Sequence, residues 1–132
     1  TPAGKGKLGV VPGSMGSPGF IVRGKGNAKS FNSCSHGAGR VMSRAAAFRT
    51  LKHADMKKIL KEQGISLIGG TLDESPEVYK DINKVIDGQR DLVDVLAKFE
   101  PKLVRMAAEG NQWSNKKKKK KPENKGDEDV CM

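Results

Sequence analysis

The residues with the most chemical promise lie in one run, Ser30-Phe31-Asn32-Ser33-Cys34-Ser35-His36-Gly37-Ala38-Gly39-Arg40. A single histidine, His36, stands there between small polar residues and a Gly-Ala-Gly turn that is expected to open into a helix. Backbone N–H groups at a helix start, reinforced by the helix dipole, form a site for phosphate oxygens. Arg40 and Arg44 are four residues apart and on a continuous helix would project from the same face. Imidazole is partly neutral near pH 7 and its phosphoramidate passes the group onward, so a histidine beside a phosphate site with two arginines is placed to act as a nucleophile at phosphorus. The plain alternative for a lone histidine is a helix cap or a core position.

The elements that must position this run are legible in the glycine pattern. Ten of the sixteen glycines precede Arg40, and between their clusters lie short apolar runs at residues 8–11 and 20–22, which read as strands punctuated by tight turns. After Gly39 come helix formers, Val41 to Phe48, with no Gly or Pro until Gly64. A clearer helix is expected over residues 54–63, where Met56, Ile59 and Leu60 share a face and Gly64 terminates it. Residues 65–68 read as a strand ended by Gly69-Gly70, and residues 76–84 as a short helix with Val78, Ile82, Val85 and Ile86 as an apolar stripe. The alternation Val93, Val95, Ala97, Phe99 predicts a half-buried strand over 92–99, with Glu100-Pro101 turning the chain so that 102–106 returns as its partner. The expected class is α+β: a loop-rich β region, then helices, then a final strand pair.

Charge narrows the partners. The 132 residues carry a net charge of +10, and from Thr1 to Ala54 there are nine Lys and Arg and no Asp or Glu. That balance favours polyanions such as nucleic acid or nucleotides. No apolar run approaches the roughly 18 residues of a membrane span, and Cys34 and Cys131 make no disulfide framework; a soluble, cytoplasmic protein is expected. Met56, Ile59 and Leu60 read as core and His53 as a surface or capping residue. Residues 1–110 are expected to fold, and residues 111–132, with Lys116 to Lys121 in succession, to form a disordered lysine-rich tail. Trp113 at its edge reads as part of an unstructured flank.

Three linked motifs carry a resemblance: Pro12-Gly13-Ser14-Met15-Gly16, Phe20-Ile21-Val22-Arg23-Gly24-Lys25-Gly26-Asn27, and Ser33-Cys34-Ser35-His36-Gly37-Ala38-Gly39-Arg40-Val41-Met42-Ser43-Arg44. Together, and in this order, they resemble the RtcB-type GTP-dependent RNA ligases of tRNA splicing and RNA repair, and the likeness runs on through Pro76-Glu77-Val78-Tyr79-Lys80 to about Met106. The resemblance implies the C-terminal part of that ligase fold. It implies an RNA 3′-phosphate or 2′,3′-cyclic phosphate joined to a 5′-hydroxyl, with GTP and Mn²⁺ as cofactors and His36 guanylylated. Gly37, Ala38 and Gly39 correspond to backbone lining the guanylate. Pro12, Gly13, Ser14 and Met15 correspond to a second nucleotide-contacting loop, with Ser14 toward phosphate, and Tyr79 to a tyrosine packed on guanine. Arg40 and Arg44 correspond to arginines near incoming RNA phosphates.

Two positions differ from the family pattern. A serine is common where Gly19 stands, and the lysine that reads guanine at the last strand is replaced by Arg105 or Met106. The resemblance also places the manganese ligands upstream of the matching stretch, so no metal ligand is assigned here and the chain alone is expected to be catalytically silent. RNA is the implied partner, and an activating protein is compatible with it. Two other readings stay open on sequence: a non-catalytic basic RNA-binding protein, and an inactive paralogue of the ligases.

Overall fold

The computed structural model describes residues 1–107. Trp113, the Lys116–Lys121 run and the expected tail lie outside the described residues. The elements are β1 (Leu8–Val11), β2 (Gly19–Gly24), α1 (Arg44–Thr50), α2 (His53–Glu62), β3 (Ser66–Ile68), α3 (Ile82–Asp87), β4 (Val93–Phe99) and β5 (Leu103–Arg105), with 3-10 turns at Ala28–Ser30, Leu72–Glu74 and Pro76–Val78. The mixed α+β composition agrees with the sequence reading.

Strands β1, β2 and β4 form an antiparallel sheet with β2 central. Val11 pairs with Phe20 and Gly24 with Val93, so the inner face carries Val11, Phe20, Val22 and Val93. These pack with Ala3, Cys34, Ala38, Ile82 and Ile86 into one core. A second, smaller core joins Met15, Met56, Leu60 and Ile65, flanked by Leu67, Val104 and Met106. The loop between β1 and β2 spans both: Val11 enters the first core and Met15 the second.

The expected final strand pair is corrected. β4 pairs with β2, whereas β5 runs parallel to β3, with Leu67 opposite Val104. Partner choice between short apolar strands depends on which core buries them, and Val104 closes over the second core rather than beside β4. The half-buried alternation of β4 fails too. Ile21 pairs with Ala97 but Val22 with Val95, so Leu96 is a bulged residue and the alternation switches faces there. Val93 is buried while Val95, Leu96 and Phe99 are exposed. The expected helix over 76–84 divides into the Pro76–Val78 turn and α3, which Asp81 caps by accepting from the Asn83 N–H at 2.9 Å. That hydrogen bond holds the Asp81 carboxyl below the ordinary carboxylate range. α2 matches its expected register, with Met56 and Leu60 buried.

Candidate active site

The Gly-Ala-Gly segment does not open directly into a helix. Arg40 forms an isolated antiparallel bridge with Tyr79, and α1 begins at Arg44, where the Ser43 side chain accepts from the Ala46 N–H at 3.1 Å. Arg40 is therefore extended backbone outside the helix, and Arg40 and Arg44 do not share a helical face. The capping signal was present in the sequence, since serine at the N-cap competes well for a free backbone N–H. The anion site attributed to a helix start is replaced by a loop clamped on three sides.

The first clamp is the N-terminal segment. The Thr1 nitrogen donates to the Cys34 carbonyl at 2.9 Å, the Cys34 N–H to the Thr1 carbonyl at 2.8 Å, and the Ala3 N–H to the Asn32 carbonyl at 2.7 Å. The second is the Val78–Lys80 stretch: the Val41 N–H donates to the Val78 carbonyl at 2.8 Å and the Lys80 N–H to the Gly39 carbonyl at 2.9 Å. The third is Gln89, just beyond α3, whose Oε1 accepts from the Ser35 N–H at 2.6 Å and whose Nε2 donates to the Val85 carbonyl at 3.2 Å. Ala38 is buried in the first core and anchors the loop from below.

His36 itself is exposed, and its Nδ1 lies 3.2 Å from the Thr1 hydroxyl. With the proton on Nδ1, imidazole donates to Thr1 Oγ1 and the lone pair resides on Nε2, the other ring nitrogen. Gly37 lies against the Pro12 carbonyl, which would be 3.3 Å from a Cβ there, so the histidine loop and the Pro12–Gly16 loop are brought together. Gly39 takes a positive φ of 77°, a conformation that glycine adopts without strain.

In the second loop Gly13 fits because a Cβ would overlap the Pro18 carbonyl. The Ser14 hydroxyl meets Ser17 Oγ at 2.8 Å and accepts from the Gly16 N–H at 3.3 Å, so the loop folds around it. The Met15 side chain is buried in the second core and anchors the loop there. At Gly19 the ring of Phe99 lies directly over the Cα, and a serine there would force that ring aside. The local reason for glycine in place of serine is this aromatic neighbour.

Tyr79 and Arg40, 39 residues apart, are adjacent. The guanidinium carbon sits 5.4 Å from the Tyr79 ring centroid, within cation–π range, and Arg40 Nε donates to the Met42 carbonyl at 3.2 Å. The Tyr79 hydroxyl donates to Glu74 Oε2 at 2.6 Å, and burial together with that carboxylate pushes its pKa up. Arg40 Nη2 is shielded from solvent without a hydrogen-bond partner. A buried unsatisfied donor is costly, and a small shift that admits an oxyanion would satisfy it. Arg44 Nε instead meets Asp73 Oδ2 at 3.5 Å, so an RNA phosphate and Asp73 would compete for it. Arg105 lies on β5 opposite Ile68, with the second core rather than with the histidine loop.

Sequence reasoning missed Gln89 and Thr1. Neither type signals such a role, and their contacts span 54 and 35 residues of chain. Replacing Gln89 with alanine strands the Ser35 N–H and is expected to cost about 1–2 kcal/mol, read as a lowered urea midpoint. Glutamate keeps one accepting oxygen but sets the other against the Val85 carbonyl in a buried position, so Gln89→Glu should recover little of that loss near pH 7. Cys34 is buried and its thiol pKa is raised by that burial. It should remain a neutral thiol at pH 7, so alkylation by iodoacetamide is expected to be slow in the folded chain and fast in urea, measured by mass spectrometry.

The described residues contain no group of three or more His, Cys, Asp or Glu able to hold a metal ion, and no helix among them is long and apolar enough to cross a membrane.

An exposed imidazole thus stands in a clamped glycine loop that lies against a second glycine loop, and the same clamped segment ends at the Arg40–Tyr79 pair. The family model for tRNA-splicing ligase RtcB matches residues 1–107, and the chain belongs to that family. It is 47% identical over 91 residues to the RNA-splicing ligase RtcB of Escherichia coli K12, covering 69% of this chain and 22% of that protein. It is 36% identical over 103 residues to the tRNA-splicing ligase RtcB of Nanoarchaeum equitans, covering 72% of this chain and 22% of that protein. The corresponding ligase of Archaeoglobus fulgidus is 44% identical over 84 residues, covering 59% of this chain and 17% of that protein. The chain thus spans about a fifth of the length of the curated relatives it matches.

Proposed function

We propose that this chain supplies the nucleophilic histidine of a ligase that joins an RNA 3′-phosphate, or a 2′,3′-cyclic phosphate after opening, to an RNA 5′-hydroxyl in tRNA splicing and RNA repair. The observation that carries this reading is the setting of His36, exposed, with Nδ1 beside the Thr1 hydroxyl and its loop fixed against Pro12 and Tyr79.

In the first step His36 Nε2 attacks the α-phosphorus of GTP; the P–N bond forms as the α–β P–O bond breaks and pyrophosphate leaves. An oxygen of the RNA 3′-phosphate then attacks the guanylyl phosphorus, breaking the P–N bond and returning the imidazole. Finally the 5′-hydroxyl attacks the activated 3′-phosphorus, its proton is released, and GMP leaves. Backbone N–H groups of Gly37, Ala38 and Gly39 and of Gly13, Ser14 and Met15 are the donors offered to the phosphates, and Arg40 meets the oxyanion with its unsatisfied Nη2. Tyr79, on the other side of the Arg40 bridge, fits a role in orienting that guanidinium as well as in contacting the guanine. Manganese, when bound, would stabilise charge at phosphorus, but the described residues alone do not fit the ion: the Cys34 thiol is buried, and no three or more His, Cys, Asp or Glu among them come together.

The test is a chimera in which this chain replaces the matched stretch of the Escherichia coli relative, incubated with α-labelled GTP and Mn²⁺. An acid-labile, base-stable label retained on the protein supports the reading. A chimera that folds and takes no label, while the parent relative does, overturns it.

A further inference from the structure

A cleft of about 680 Å³ lies away from His36, between α2 and β3. None of the residues assigned above to guanylate or RNA phosphate lines it. Its floor is apolar, from Met56, Leu60, Ile65 and Leu67, and its rim is basic, from Lys57 and Lys61 with His53 at the start of the helix. Among the described residues no carboxylate lines it, and the α2 acid Glu62 lies toward Lys58 at 4.0 Å. Lys57 and Lys61 have no ion-pair partner among the described residues.

Lys57 and Lys61 are four residues apart, so they stand on one helical face, about 6 Å apart along the axis. On the opposite wall the Ser66 hydroxyl has no hydrogen-bond partner among the described residues, and Gly69 and Gly70 close that end of the cleft, packed against the Met106–Ala107 backbone and the Leu67 side chain. The volume falls within the range of roughly 300–1,000 Å³ usual for small-molecule sites. An apolar floor, with Leu67 the most exposed of its four residues, cationic groups on one rim and a hydroxyl opposite suits an unstacked nucleotide of a single strand: base over the floor, flanking phosphates on the lysines.

We propose that this cleft is a second RNA contact, holding one splayed nucleotide of a single-stranded segment with Lys57 and Lys61 on its phosphates and Ser66 at the base edge. The proposal rests on the RNA-ligase reading for the identity of the polyanion. It does not require His36 to react. An acidic peptide offers the same charge but no planar ring for the floor.

The experiment is fluorescence anisotropy of a labelled 12-nucleotide single-stranded RNA with the full chain, across a salt series. The Lys57→Glu/Lys61→Glu variant is compared with Lys29→Glu/Lys84→Glu, which changes the net charge equally at other surface positions. The cleft variant is expected to bind about tenfold more weakly than the control variant near 0.1 M salt, with a log–log salt slope smaller by about 1.4, the value for two single-strand phosphate contacts. A 4-thiouridine version of the same RNA should cross-link to a peptide within residues 53–70, and less so in the cleft variant. Equal weakening by both variants, cross-links confined to other peptides, or an acidic peptide that displaces the RNA from 53–70 more strongly than unlabelled RNA overturns the proposal. Guanylylation at His36 is read separately in the chimera, so loss of the label tells against the ligase reading and loss of the cross-link against the cleft.

Discussion

His36→Ala is expected to abolish the covalent guanylyl label in the chimera with the Escherichia coli relative while leaving the fold unchanged. The reasoning separates the two readouts. His36 is exposed and among the described residues its side chain meets only the Thr1 hydroxyl, at 3.2 Å, so truncation removes no core packing and should shift stability by no more than about 0.5 kcal/mol. Catalysis differs in kind, because alanine offers no atom for the P–N bond, and loss of a nucleophile lowers turnover by about a thousandfold or more. Glutamine, which can hydrogen-bond but cannot carry the guanylyl group, should be as inactive as alanine. A glutamine variant that retained the label would show that phosphorus is attacked elsewhere. A large drop in the urea midpoint of His36→Ala would instead mean that the imidazole is a structural cap of its loop, the plain alternative for a lone histidine. The two outcomes are read on the same protein, by label retention and by denaturant titration.

The parts of this site that were legible in the sequence are those fixed by neighbours along the chain. Positive φ at Gly39, the tight turn at Gly13 against Ser17 and Pro18, and the register of Met56 and Leu60 on α2 all follow from residue type and short spacing. What was not legible depends on distant partners. Arg40 pairs with Tyr79, 39 residues away, across a bridge of extended backbone, which no local spacing reveals. β5 was assigned to β4 because the two are consecutive, yet the parallel pairing with β3 is what lets Val104 cover Met56 and Leu60. The bulge at Leu96 has no signature either; it leaves Val95 and Ala97 on opposite faces of an otherwise regular alternation. One consequence is an outer sheet face where Leu8, Val10, Ile21 and Phe99 are exposed together.

Gly24→Ala is the substitution with the largest expected cost to the fold, and it should reach His36 without touching it. Gly24 closes β2 opposite Val93, on the buried side of the sheet, and a Cβ there would overlap the carbonyl of Ala3 and the Gly4 oxygen. Both obstacles are backbone, so neither can swing away as a side chain would. Displacing Ala3, which is 2% exposed, disrupts the hydrogen bonds from Ala3 N–H to Asn32 and from Gly26 N–H to the Ala3 carbonyl, and loosens the paired bonds between Thr1 and Cys34 that follow. Overpacking of about 1–3 kcal/mol, added to hydrogen bonds worth about 1 kcal/mol each, gives an expected loss of roughly 4 kcal/mol, a large share of the ~5–15 kcal/mol typical of a domain. Gly4→Ala is the matched control, since a Cβ there meets only the Lys7 side chain at 3.5 Å and φ is not positive; it should fall within about 0.5 kcal/mol of the parent. Hydrogen exchange supplies the local readout: the Ala3 and Cys34 amides should lose protection in Gly24→Ala and keep it in Gly4→Ala. If Gly24→Ala is as stable as the parent, or if those amides stay protected, the N-terminal segment is not what holds the histidine loop, and Gln89 with the Val78–Lys80 pairing must hold it unaided.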